Sequence, residues 1–244
     1  MMLTRRGFFR RLPGLGALVL GLASCGASIS GKLERGGVGD FNVSAALEPG
    51  AAAKIRDFLA FSQGNPGGGE LLINAPAIAR SMSNAPGVAQ VNFRNTGSAA
   101  LEGLVKIANI GDFLAPSGKA GFISFQENPG GGGRVAITLN REAAPDMLSL
   151  ISPDVTYYLM ALFAPIATGD ELSKEEYLIQ VNLFHGPAVA GEISRASVRS
   201  QVEFPGPLVS VRGGTFSGSR AEFIIPLADL LVLEQPLSYE AVWR

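Results

Sequence analysis

The chain has 244 residues, of which 20 are Lys or Arg and 21 are Asp or Glu, and 47% are hydrophobic, with one histidine and one cysteine. A near-neutral aliphatic chain without a basic stripe excludes nucleic acid or anionic headgroups as the main partner. One cysteine excludes a disulfide framework, and one histidine excludes a histidine-based metal cluster.

Arg5, Arg6, Arg10 and Arg11 precede an apolar run from Leu12 to Ser24, and no acidic residue occurs before Glu34. A helix of that length spans about 20 Å, short of the roughly 30 Å hydrocarbon core. A charged head, a short apolar middle and small terminal residues define a cleavable export signal over residues 1–24, not a membrane span. Leu22-Ala23-Ser24-Cys25 resembles the lipobox of bacterial lipoproteins. That resemblance implies diacylglycerol on the Cys25 thiol and an N-acyl group on the new N-terminus, with no other cofactor. Thr4-Arg5-Arg6-Gly7-Phe8-Phe9-Arg10 resembles the twin-arginine export motif, a receptor-read address in which Arg5 and Arg6 are the signal. Gly14, Gly16 and Gly21 keep the apolar run mildly hydrophobic, which suits that route over general secretion. Gly26, not aspartate, follows the cysteine, so the sorting pattern implies the periplasmic face of the outer membrane in a Gram-negative cell.

Loss of residues 1–24 leaves 16 basic residues against 21 acidic ones, a net charge of −5. Residues 25–30 read as the lipidated cysteine and a short tether, and residues 31–244 as one envelope domain. Ile29–Arg35 and Val38–Leu47 read as strands of a hairpin around Gly36-Gly37. Glu48-Pro49-Gly50 opens a helix to about Ser62, with Ile55, Phe58, Leu59 and Ser62 on one face, and Asn74-Ala75-Pro76 starts a second helix to about Ser83. Val88–Asn95 alternates, with Val91 and Phe93 on one face; in Leu101–Ile110, Leu101, Val105 and Ile107 face alike. Phe122–Glu127 and Arg134–Asn140 form another hairpin, with Val135, Ile137 and Leu139 inward. Phe58–Gly69 and Phe122–Gly132 share an Asn-Pro-Gly-Gly-Gly ending, which reads as reused turn chemistry.

A helical block follows. Ser152-Pro153-Asp154 caps a helix carrying Val155, Tyr158, Leu159, Leu162 and Phe163. Ser173 and Glu176 form a capping box ahead of Tyr177, Leu178, Val181 and Phe184, and Gly186-Pro187 reads as the stop. Ser197–Phe204, Leu208–Arg212, Ala221–Ile225 and Ser238–Arg244 then read as strands, with Phe223 and Ile225 inward. Strands, helices and strands with hairpin-length turns indicate an α+β fold with antiparallel sheet and several helices.

No catalytic constellation emerges. His185 reads as a helix C-terminal residue facing the last carbonyls. Gly130–Gly133 precede Arg134 and a strand, not a lysine, a hydroxyl residue and a helix, so they make a hairpin tip and not a phosphate cradle. Gly118-Lys119 lacks the upstream spacing, and Ser217 does not sit in a nucleophile elbow. Asp40, Asp57, Asp112, Asp146, Asp154, Asp170 and Asp229 share no motif spacing; Asp112 and Asp154 read as helix caps. The inventory shifts weight from enzyme toward binding or structure.

The tail, with Val202-Glu203-Phe204-Pro205-Gly206, Gly213-Gly214 and Trp243, resembles LppM-type bacterial lipoproteins, as do the opening hairpin and Leu47-Glu48-Pro49. This resemblance implies a helix-grip type of domain, a curved antiparallel sheet around a long helix, with an apolar cavity for a lipid-like ligand. The function it implies is a non-enzymatic, membrane-anchored lipoprotein that holds such a ligand. Two alternatives stay open: a filled-core lipoprotein that contacts another envelope protein, and an envelope hydrolase.

Overall fold

A computed structural model describes residues 26–63, 71–114, 122–149 and 153–244. Arg5, Arg6 and Cys25 lie outside the described residues, as do Gly118-Lys119, Ser152 and the glycine run of Phe58–Gly69. The fold is α+β, and its strands divide between two sheets.

The first hairpin joins β1 (Gly26–Leu33) to β2 (Gly39–Ala46) through one tight turn. Gly36 and Gly37 adopt φ of 77° and 73°, which side chains resist, so the glycine pair is what lets the turn close. The Gly36 N–H donates to Glu127 at 2.9 Å, which ties this turn to the other sheet. Residues 26–30 are strand from the first described position, not a tether.

Helix α1 (Pro49–Gln63) begins against the Glu192 carboxylate, which accepts from the Gly50 and Ala51 N–H groups, each at 2.9 Å. A carboxylate at that end satisfies orphan donors and complements the helix dipole. In α2 (Ala75–Ser83) the Asn74 side chain accepts from the Ala77 N–H at 3.0 Å. Strands β3 (Val88–Gly97) and β4 (Ala100–Ile107) follow, then α3 (Ile110–Leu114). Asp112 is not the cap of α3: Asn109 accepts from its N–H at 3.1 Å, which puts Asp112 in the first turn.

The hairpin β5 (Ile123–Glu127) and β6 (Gly133–Leu139) closes through Asn128, whose N–H donates to Gly132 at 2.7 Å. Then come α4 (Ala144–Ser149), α5 (Pro153–Ala161), α6 (Pro165–Thr168) and α7 (Lys174–His185). The Ser173–Glu176 capping box is present in full. Gly186 does end α7, with φ 88°, but Pro187 at once starts α8 (Pro187–Arg195), where the sequence reads a return to strand. Proline stops one helix and suits the first turn of the next.

The C-terminal strands are β7 (Ser197–Glu203), β8 (Leu208–Arg212), β9 (Gly214–Ser217), β10 (Arg220–Pro226) and β11 (Leu237–Trp243). Between the last two lies α9 (Leu227–Val232), invisible to periodicity because nearly every residue is buried. Strand order is β3-β4-β2-β1-β7-β10-β9 in one sheet and β5-β6-β11-β8 in the other. All pairs are antiparallel except β1 with β7. The expectation of one curved sheet around a long helix gives way to two sheets with short helices at one end. The outer face of the larger sheet is polar, with Arg94–Glu102, Arg199–Glu222 and Arg220–Glu203 pairs across it.

Candidate functional site: a cavity between the sheets

Register decides what faces inward. In the larger sheet Val105, Phe41, Gly31, Val202 and Ala221 form one cross-strand row, and Gly103, Val43, Ile29, Ser200 and Phe223 form the next. Gly31 is a requirement of this row. A Cβ there would collide with the Asp40 carbonyl oxygen and the Phe41 ring. In the smaller sheet Ile123, Ile137 and Tyr239 form one row, and Phe125, Val135 and Ala241 the next.

The two inner faces do not meet everywhere. Between them lies a cavity of about 220 Å³, lined by Ile29, Phe41, Val43 and Val105 on one side and by Ile123, Val135, Ile137 and Ala241 on the other. Met82, Met147 and Leu230 reach it from α2, α4 and α9, and Ile110, Phe113 and Leu114 from α3. Ile29, Phe41, Val135 and Ile137 occupy inward positions yet are only half-buried, because they look onto empty space. An engineered apolar cavity of about 150 Å³ in another protein stays dry and takes up benzene, so this one has room for a larger apolar guest.

Polar side chains on the lining are Ser200, Tyr239 and Glu240. Glu240 springs from the opposite face of β11, where Arg134 holds its carboxylate, donating from Nε at 2.9 Å. Tyr239 packs edge-on against Phe223, centroids 6.0 Å apart. Burial, and then the Asp229 charge, push its phenol above the ordinary tyrosine range, so it stays protonated.

Of the inward residues read from sequence, Val105, Ile107, Val135, Ile137, Leu139, Phe223 and Ile225 line the cavity. Val91 and Phe93 do not; Phe93 is buried over Gly103 instead. Ser200, Tyr239 and the α3 residues went unnoticed. Ser200 shares inward parity with Val198 and Val202, the one signal that points to it.

The candidate chemical residues are dispersed. Among the described side chains, none of Asp40, Asp57, Asp112, Asp170 and Asp229 lines the cavity. Among the described residues no group of three or more His, Cys, Asp or Glu is placed to hold a metal, and no helix is long and apolar enough to cross a membrane. His185 does not serve the carbonyls of its own helix end. Its ring stacks on Phe163 at 5.2 Å and bonds to the Ala161 backbone, while its Nε2 is buried without a partner among the described residues. Burial, and then Lys54, lower its pKa, with the Ala161 bond opposing.

Two further apolar features lie outside the lining. Trp243 is buried between Phe125 and Phe204, at 6.1 and 5.3 Å, and its ring leaves no room for a Cβ at Gly133. On the helical side Ile179 and Leu183, one turn apart on α7, are 67% and 76% exposed, with Phe184 and Met160 also exposed.

No family model and no curated protein matches the chain. Among solved structures it is similar to the NMR structure of the folded domain of Mycobacterium tuberculosis LppM, at 12% identity and a TM-score of 0.41, over 89% of this chain and 88% of that one. A likeness of that size decides neither the ligand nor the role of this chain.

Proposed function

We propose that this chain is an exported lipoprotein, anchored to the cell envelope through Cys25, whose domain holds an apolar, lipid-like ligand between its two sheets. The observation that carries the binding part is the cavity of about 220 Å³ lined almost wholly by aliphatic and aromatic side chains. The reading is non-enzymatic: among the described residues the one histidine lies apart from the cavity, and the one carboxylate on its lining, Glu240, is paired with Arg134. Titration with an uncharged fluorescent apolar dye tests it. Saturable binding at one site per chain is expected, weakened by Val105→Trp; signal that rises linearly with dye would end the ligand-binding reading.

The anchor rests on the Leu22–Cys25 lipobox and the two arginines at Arg5 and Arg6. Metabolic labelling with a fatty-acid probe should mark the chain and fail on Cys25→Ser; label retained on the serine variant overturns the anchor. Changing Arg5 and Arg6 to Lys should trap precursor in the cytoplasm, whereas normal processing would point to general secretion. Membrane fractionation decides between the outer-membrane face, which Gly26 favours, and the inner membrane. The exposed Ile179 and Leu183 favour a second reading, a lipoprotein that contacts another envelope protein. That reading becomes the better account if the dye does not bind.

A further inference from the structure

Helix α7 is apolar on two opposite sides. Tyr177 and Val181, one turn apart, are buried in the core, while Ile179 and Leu183, also one turn apart, are exposed on the other side. A helix that is apolar all round is normally buried. Phe184 is exposed next to Leu183, and the Phe163 ring packs on it with centroids 5.2 Å apart, which carries the apolar surface across to the end of α5. In this contact Phe163 holds φ of 53°, a conformation that bulky side chains resist. Met160, whose carbonyl accepts from the Phe163 N–H at 3.0 Å, is exposed as well. Single exposed apolar side chains are ordinary on a surface; a joined group is not.

Charge and position name what covers this corner. From Tyr177 to Gly191 the chain carries no Asp, Glu, Lys or Arg. His185, the one titratable group near the turn, has its pKa lowered by burial and is uncharged at neutral pH. A protein interface keeps a polar rim, whereas the apolar part of a bilayer disfavours every charge. In the larger sheet Gly26 opens β1 opposite Ala46 of β2, and Ala27 pairs with Val198 of β7. At that end β2 leads through Leu47 and Glu48 into α1, β7 is entered from α8, and β10 passes into α9. The corner between α7 and α8 is thus joined to the Gly26 end by α8, whose nine residues span about 13 Å. In the anchor reading the lipid sits on Cys25, one peptide bond from Gly26. Consecutive Cα atoms are about 3.8 Å apart, so no spacer holds the domain off the bilayer. The Gly26 end then rests on the membrane, and the corner comes with it.

We propose that the corner formed by Ile179, Leu183, Phe184 and Phe163 inserts at the boundary between headgroups and acyl chains of the membrane that carries the Cys25 lipid, as a second, non-covalent attachment. The inference rests on the anchor reading above. With no charged side chain in the α7–α8 turn, the attachment draws on buried apolar area and is indifferent to salt.

The test uses the lipidated chain, purified from membranes and reconstituted into phosphatidylcholine vesicles. Leu183→Cys and, at the other end of the sheet, Ser217→Cys each carry an NBD fluorophore. Lipid bearing a nitroxide high on its acyl chain is the quencher. The Leu183 label should emit to the blue of the Ser217 label and be quenched, at low and high salt alike. Adding Ile179→Ser to the Leu183→Cys chain should weaken that quenching and leave the urea midpoint unchanged. A Leu183 label as water-exposed and unquenched as the Ser217 label overturns the proposal and assigns the corner to a protein partner. A blue shift without quenching also overturns it, because protein and not lipid is then the cover. A chain that has no lipid on Cys25 by mass and does not float with the vesicles overturns instead the anchor reading on which the proposal rests.

Discussion

The two ends of the interior are built from the same kinds of side chain and are packed to different degrees. At the helical end Ile55, Leu159, Tyr177, Val181 and Ile193 are completely buried, and the Tyr177 hydroxyl donates to the Leu162 carbonyl at 3.3 Å. Between the sheets Ile29, Phe41, Val135 and Ile137 point inward and remain half-buried around open space. Helices are separate rods that can slide until their side chains interlock. A strand in a sheet cannot move toward the opposite sheet without its hydrogen-bonded neighbours, so a gap between sheets persists unless side chains are long enough to fill it. Ser200 and Ala241 line the gap with short side chains that fill little of it.

Truncation should break that comparison most sharply. Leu159→Ala and Ile193→Ala remove atoms from filled surroundings and should each cost about 2–5 kcal/mol in urea unfolding. Ile29→Ala and Ile137→Ala remove atoms that already lack part of their contacts, and should cost less than about 2 kcal/mol. Equal losses at both ends would mean that the space between the sheets is filled in solution.

Enlargement is the complementary probe. Val181→Trp should overpack the helical end and cost about 1–3 kcal/mol or more. Val105→Trp projects into the cavity and should cost less than Val181→Trp in the same thermal melts, while it weakens dye binding. Overpacking of the same size at both positions would contradict an open interior.

Smaller effects sharpen the helical side alone. Ser173→Ala removes the capping box of α7 and should cost about 1 kcal/mol without any change in dye affinity. His185 should give the smallest signal, and its sign is fixed. Its folded pKa lies below the ordinary histidine value, so above about pH 6.5 both states are uncharged and it contributes no pH dependence. As pH falls below that value the unfolded chain takes up the proton first, so stability declines until pH passes the lowered folded value. His185→Gln should flatten that part of a stability profile measured from pH 7.5 to 5; an unchanged slope would assign it to other groups.

Much of the fold was legible because local chemistry specifies it. The glycine pair at Gly36-Gly37, the Ser173–Glu176 box and the alternation through Val91 and Phe93 each place an element within a few residues. The failures also have local causes. Pro187 serves equally to end one helix and to begin another. Leu227–Val232 has only Asp229 outside the core, too little of a polar face to set a period, and Asn109 outcompetes Asp112 for the cap because it sits one turn earlier. The cavity was only half legible. Parity along strands put Val105, Ile137 and Phe223 on inward faces, but could not tell a face that meets another from one that does not.

By itself, then, the sequence determined the α+β character and the inward face of most strands, since each depends on neighbours a few positions apart. Only the tertiary structure decided that the strands divide into two sheets, that β1 pairs parallel with β7, and that Tyr239 packs edge-on against Phe223 from the opposite sheet. Whether apolar faces close or leave a space is a balance of side-chain volumes summed over segments as distant as residues 29 and 241, and no local pattern encodes that sum.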